Sequence, residues 1–216
     1  MQQFLGTLLC GILLIPITYK YNIVNDNILS RQSIKVEKLK KYNRNFYNDT
    51  CHKNIRENID TNLYIHLEIP CEMDKSGKTR KNNVIARYGK QLDDDTFIAV
   101  EISNSSYLLV NTEEGVNKAI NFFLKKENLN DLGNVISVTR IKIKNIDGVK
   151  ILHTADVKSE VGTLYHKYIS YYLFPKGKYL IVKYYAGSKI EIKRDINFKK
   201  WENKFETMAK RITITK

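Results

Sequence analysis

The chain has 216 residues, with 36 Lys and Arg against 23 Asp and Glu, for a formal net charge of +13. Apolar residues make up 43% of it, enough to bury a core, which excludes a disordered chain, a collagen and a multi-span membrane protein. Three prolines, ten glycines and three cysteines exclude a Pro/Gly-rich linker and a disulfide-built miniprotein.

Residues 1–19 carry no charged side chain, and Phe4 to Thr18 is a nearly continuous apolar stretch. It is long for a core strand and short for a membrane span, which needs about 20 residues. It matches the hydrophobic region of a signal peptide or signal-anchor. No Lys or Arg precedes it, no A-x-A-like site ends it, and Leu9 stands before Cys10 where a lipobox needs a small residue. A short membrane anchor and a buried N-terminal helix are the alternatives. If this segment is removed, Cys51 and Cys71 are the one possible pair, and an oxidising compartment would permit that bridge. Two unrelated buried thiols is the other reading.

Residues 20–60 read as a basic polar arm without clean strand alternation. Between Arg31 and Arg44 there are six basic residues against Glu37. From Asn62 the texture changes. Leu63 to Ile69 alternates and stops at Pro70, which reads as a strand. A charged loop over 72–83 follows, then strands over Val84–Tyr88 and Thr96–Ser103, joined by a turn at Asp93-Asp94-Asp95. Thr112 is a good N-cap, with Glu113 and Glu114 in the first helical turn and Lys125 and Lys126 in the last. Val116, Ala119, Ile120, Phe123 and Leu124 fall at helical spacing, and 128–134 reads as a loop.

Val135–Lys144 and Val149–Lys158 read as paired strands about a turn at Asn145-Ile146-Asp147-Gly148. After a turn at Ser159–Gly162 come Thr163–Phe174 and Tyr179–Ala186, joined at Pro175–Lys178. A last helix spans about 196–210, with Phe198, Trp201, Phe205, Met208 and Ala209 as its apolar stripe. Ile212 and Ile214 close the chain in extended form. Strands in a meander with two one-faced helices predict an α+β domain over 61–216, an antiparallel sheet flanked by helices.

Motifs with a mechanism are scarce. Ser76-Gly77-Lys78-Thr79 looks like the end of a P-loop, but Glu72 stands where the first glycine belongs and a strand follows instead of a helix. The four histidines show no HxH or HxxxH spacing, and there is no CxxC, so no metal site or cofactor is expected. His66, His153 and His166 lie on separate predicted strands. Convergence there would make a weak metal site, whereas hydrogen-bonded strand histidines are the plainer expectation. No GxSxG is present, and a Cys–His pair would vanish if the cysteines are bridged, so no enzyme is expected.

The element order resembles the Mog1/PsbP-like fold, including the DcrB-like bacterial proteins. The resembling parts are the strand ending Ile69-Pro70, the helix after Asn111-Thr112 and the hairpin with Ile146-Asp147-Gly148-Val149. The pair Tyr165–Leu173 and Tyr179–Tyr185 about Pro175–Lys178 and the closing helix with Phe198 complete it. The resemblance covers about 61–216 and carries no catalytic signature. It implies a sheet flanked by helices, used mostly as a non-enzymatic binding module and often exported. The poor lipobox and the basic arm depart from it.

Two surface features remain. Seven of the fourteen tyrosines, Tyr165, Tyr168, Tyr171, Tyr172, Tyr179, Tyr184 and Tyr185, sit on two neighbouring strands, and alternation sends them to both faces. One set is expected under helices. The other, with Tyr165, Tyr168, Tyr172 and Tyr185 as candidates, would offer rigid contact area, unless all serve as cross-strand pairs. Asp74–Lys90 holds six basic residues against one acid, among them Lys75, Lys78, Arg80 and Lys81. These cations would steer an acidic protein partner, or face anionic lipid or nucleic acid, unless they are a merely solvated basic surface. The expectation is an exported or membrane-anchored, periplasmic or otherwise extracytoplasmic binding module of the cell envelope, with an immunity-type or complex-assembly role. A small-ligand carrier or enzyme with its site between sheet and helices is the first alternative. A cytoplasmic nucleic-acid binder using the basic arm is the second, less expected because no reader element is seen.

Overall fold

The computed structural model describes residues 51–76, 83–104, 112–159, 162–175 and 179–216. The apolar first segment, most of the basic arm, Lys78, Arg80, Lys81 and the Gly77–Thr79 motif lie outside the described residues, as do the centres of the turns expected at Ser159–Gly162 and Pro175–Lys178. Among the described residues no helix is long and apolar enough to cross a membrane.

The domain is α+β, as its pattern predicts. Its strands are β1 (His52–Asp60), β2 (Leu63–Pro70), β3 (Asp74–Lys75), β4 (Val84–Asp93) and β5 (Thr96–Asn104). Helix α1 (Glu113–Leu124) and a 3₁₀ helix (Lys126–Leu132) follow. The meander is β6 (Asn134–Ile143), β7 (Ile146–Ser159), β8 (Gly162–Leu173) and β9 (Leu180–Ser188), and α2 (Glu191–Lys210) and β10 (Thr213–Thr215) close the chain. Seven strands form one sheet in the order β3-β4-β5-β9-β8-β7-β6, and β1-β2-β10 form another, all pairs antiparallel.

The larger sheet has a helix on each face. On one, Ala119, Ile120 and Phe123 of α1 pack on Val149, Ile151, Tyr172 and Tyr179. On the other, the α2 stripe is buried as expected, with Phe205 against Tyr184 at 5.5 Å between ring centroids. Tyr184 and Tyr185, adjacent in the chain, necessarily serve opposite faces. Helix α2 also touches β2, whose Ile65, Leu67 and Ile69 are buried. Thr112 caps α1 by accepting from the Gly115 N–H at 3.1 Å.

Four expectations need correction. The arm does not reach residue 60, because His52–Asp60 pairs with β2 along its length. Only Ile55 and Ile59 carry the apolar alternation of that strand, too few to stand out among polar residues. Lys125 and Lys126 lie past the last turn of α1, and the expected loop after them is a 3₁₀ helix. The β6–β7 turn is Lys144-Asn145, with Lys144 at φ 53° and Ile143 paired to Ile146. Gly148 therefore serves the strand and not the turn: a Cβ there would run into the backbone carbonyl of Tyr172 on β8. Finally, β4 continues to Asp93, and the aspartate turn works as expected, Asp93 Oδ1 accepting from the Asp95 N–H at 2.8 Å.

Candidate functional site

The sheet face that carries α1 holds a cleft of about 610 Å³ over β4, β5, β9, β8 and β7. It is built by period-two alternation. In β5, Ile98, Val100 and Ile102 point into the α2-side core and are fully buried, while Phe97, Ala99 and Glu101 point the other way. Arg87 of β4 and Lys183 of β9 are the register partners of Glu101 on either side. Arg87 donates to Glu101 Oε2 through Nε at 3.0 Å and through a second, shorter guanidinium bond. Lys183 reaches Oε1 at 3.4 Å. Burial alone would raise the Glu101 pKa, but the Arg87 hydrogen bond and the charges of Lys183 and Arg87 hold it below the usual carboxylate range.

Rings fill the next rows. Tyr185 is the partner of Tyr168 in the register, with centroids 4.9 Å apart. Phe97 lies edge-on to Tyr185 and to His166 at 6.0 and 5.7 Å. This carpet depends on Gly187, because a Cβ there would meet the far edge of the Phe97 ring and His166 Cδ2. Val157 and Leu164, near the far ends of β7 and β8, line the cleft with apolar surface, and Val157 is 45% exposed. At the rim, Lys75 pairs with Glu57 at 2.6 Å and Lys90 pairs with Glu72.

His166 lines the cleft but is nearly buried, and its Nδ1 has no hydrogen-bond partner among the described residues. Burial first, then the charges of Arg87 and Arg194, push its pKa down, so the ring is neutral at pH 7. His153 lies behind Tyr168, its ring stacked on the tyrosine at 4.7 Å and 7°. Its Nδ1 donates to the Leu132 carbonyl at 2.9 Å, and Nε2 accepts from the Ser170 hydroxyl at 3.0 Å. Burial pushes its pKa down to about 4. His66 sits in the smaller sheet with Thr215 at 2.9 Å, so the three strand histidines do not converge. Among the described residues no group of three or more His, Cys, Asp or Glu is placed to hold a metal.

The tyrosine surface expected from sequence divides. Tyr168 and Tyr185 line the cleft, and so does Lys75. Tyr172 is buried under α1 beside Phe123 at 4.8 Å, so it offers no open surface. Tyr165 is half-buried and, by alternation with Tyr168, faces the α2 side. Sequence alone does not mark Glu101, Arg87, Lys183 and Phe97 as site residues. One signal was available: each of the runs Val84–Tyr88, Phe97–Ile102 and Leu180–Ala186 contains a single charged residue, and these are Arg87, Glu101 and Lys183. Their meeting depends on β9 inserting beside β5, which no local pattern specifies. Cys51 and Cys71 are disulfide-bonded, joining the start of β1 to the end of β2.

No protein-family model matches the chain, and no curated protein matches it. Among solved structures, LpqN of Mycobacterium tuberculosis, described as involved in cell envelope biogenesis, aligns at 10% identity and a TM-score of 0.45. That alignment covers 78% of this chain and 94% of the other. A Pseudomonas aeruginosa protein of unknown function aligns at 12% identity and a TM-score of 0.37, over 74% of this chain and 94% of its own. At these values neither likeness carries an argument about function. Nor do the matches single out the Mog1/PsbP group, and what stands of that resemblance is its architecture, an antiparallel sheet flanked by helices.

Proposed function

We propose that the chain is an extracytoplasmic, non-enzymatic binding module of the cell envelope, and that its binding site is the cleft on the α1 face of the larger sheet. The observation that carries this is the cleft itself: an ion trio at one end, a ring floor, and apolar surface at the other end, within the usual volume of ligand sites. Its buried carboxylate is held ionised by two cations, a state unsuited to donating a proton. The apolar stretch Phe4–Thr18 and the Cys51–Cys71 bridge support an oxidising location outside the cytoplasm.

A second reading, docking of an acidic protein partner, draws on the cations Lys75 and Lys90 at the rim. Both already have carboxylate partners, so the small-ligand reading leads.

Intact mass spectrometry of the protein from its own host, after thiol alkylation without reductant, tests the proposal. The expected result is no alkylation at Cys51 or Cys71 and a non-covalent small mass that survives native but not denaturing conditions. Free, alkylated thiols at both positions would sink the location. A chain that carries no small mass, and instead co-purifies with an acidic protein, would favour the second reading.

A further inference from the structure

Building on that ligand-binding reading, we propose that the cleft takes a monoanionic amphiphile, its anionic group held by Arg87 and Lys183 and its apolar body laid over Phe97 and Tyr168. Charge counting at the inner end points to the anion. Two cations share one carboxylate, and that carboxylate side chain is only 9% exposed, whereas Arg87 and Lys183 are 35% and 26% exposed. Glu101 is thus enclosed by its partners, and the surplus positive charge is presented to the cleft. The rim adds nothing to it, because Lys75 and Lys90 are closed on Glu57 and Glu72, and Asp74 is exposed and screened by water.

The apolar body follows from what surrounds the trio. Beyond it the surface is Phe97, Tyr168 and Tyr185, then Leu164 and Val157. An inorganic anion would leave these rings wet, and a neutral hydrocarbon would leave the surplus charge without a partner. A cation would meet Arg87 and Lys183 head-on. One molecule with an anionic end and an apolar body answers both halves of the cleft. A carboxylate or phosphate diester meets the requirement, as a free solute or as a lipid headgroup with its first carbons.

The test uses two dyes of one skeleton, 8-anilinonaphthalene-1-sulfonate and its uncharged counterpart N-phenyl-1-naphthylamine, titrated by fluorescence against the folded protein. The sulfonate is expected to bind at one site, about tenfold more tightly than the neutral dye, the worth of one partly buried charge contact. Lys183→Met should remove that advantage and leave the neutral dye unaffected, and Lys183→Arg should retain it. Phe97→Ala should weaken both dyes. Displacement of the sulfonate by monomeric decanoate, or by phosphatidylglycerol vesicles, supports the proposal and tells a free solute from a headgroup. Equal affinities for the two dyes, both weakened by Phe97→Ala, would overturn the anion inference and leave the binding cleft standing. No binding of either dye, or binding indifferent to all three substitutions, would overturn the inference and the ligand-binding reading together.

Discussion

Lys183 lies directly across the β5–β9 ladder from Glu101 and approaches Oε1 of its carboxylate, while Arg87 on the opposite neighbour strand takes Oε2. One buried carboxylate therefore ties three neighbouring strands together at the inner end of the cleft. Glu101→Gln should cost about 1–3 kcal/mol in urea unfolding, because it leaves two partly buried cations without their counter-charge. Adding Lys183→Met should restore part of the loss, since it relieves the remaining repulsion. A single-variant effect near zero would mean that the trio is a solvated surface cluster. Acid should mimic the substitution. The Glu101 pKa is depressed in the fold, so its contribution is present above the unfolded value near 4 and is lost as pH falls through the lower folded value.

Gly187 gives a probe of the cleft that spares the core. A methyl group there meets the outer edge of the Phe97 ring and one carbon of His166, both on side chains that can swing aside. Gly187→Ala should change stability by about 1 kcal/mol. It should also weaken binding of the anionic dye about fivefold by tilting the floor. Unchanged dye affinity with unchanged stability would place the bound body elsewhere than over Phe97.

The disulfide closes a loop with a sequence separation of 20 and staples the first hairpin at its open end. The two cysteines are also joined through their backbones, the Cys71 N–H donating to the Cys51 carbonyl at 3.2 Å. The double substitution Cys51→Ser, Cys71→Ser should cost about 3 kcal/mol by the loop-entropy estimate. Equal urea midpoints for the oxidised wild type and the variant would show that the bridge does not hold the hairpin.

Trp201 anchors the closing helix. It is 1% exposed and stacks on Phe205 at 5.9 Å. Trp201→Ala should destabilise by about 3–5 kcal/mol, the cost of a large vacated ring in a closed core. A loss below 1 kcal/mol would require the site to collapse around the cavity.

The layers were legible in the sequence because local signals state them. Thr112 caps its helix, Phe198 to Ala209 mark the buried stripe of α2, and Asp93 makes its turn. The residues that fail share a cause, dependence on a distant neighbour. β1 is a strand because β2 pairs with it, while its own side chains are mostly polar. Gly148 looks like a turn residue until Tyr172 is placed against it. The cleft is the same case on a larger scale: alternation states that Tyr184 and Tyr185 part, but only the insertion of β9 between β5 and β8 decides which ring shares a face with Glu101.

His153 gives the fold a pH dependence whose sign the geometry sets. Its Nδ1 must donate, because the Leu132 carbonyl can only accept, and its Nε2 then accepts a hydrogen bond from the Ser170 hydroxyl. That arrangement fits a neutral ring, and protonation would turn Nε2 into a donor aimed at Ser170, close to the charge of Lys183. Above about pH 6.5 the folded and unfolded chains are both neutral here, and the group leaves stability unchanged. Below it the unfolded chain takes up a proton that the fold refuses until about pH 4. Stability should therefore fall by up to about 1.4 kcal/mol per pH unit across that window. His166 adds to the fall in the same direction. Urea unfolding at pH 7, 6 and 5 measures the slope, and His153→Phe should flatten it while lowering stability at pH 7, since it leaves Ser170 and the Leu132 carbonyl unpaired. A variant that keeps the wild-type slope would show that the proton is taken up elsewhere, and that His153 is charged or solvated in the fold.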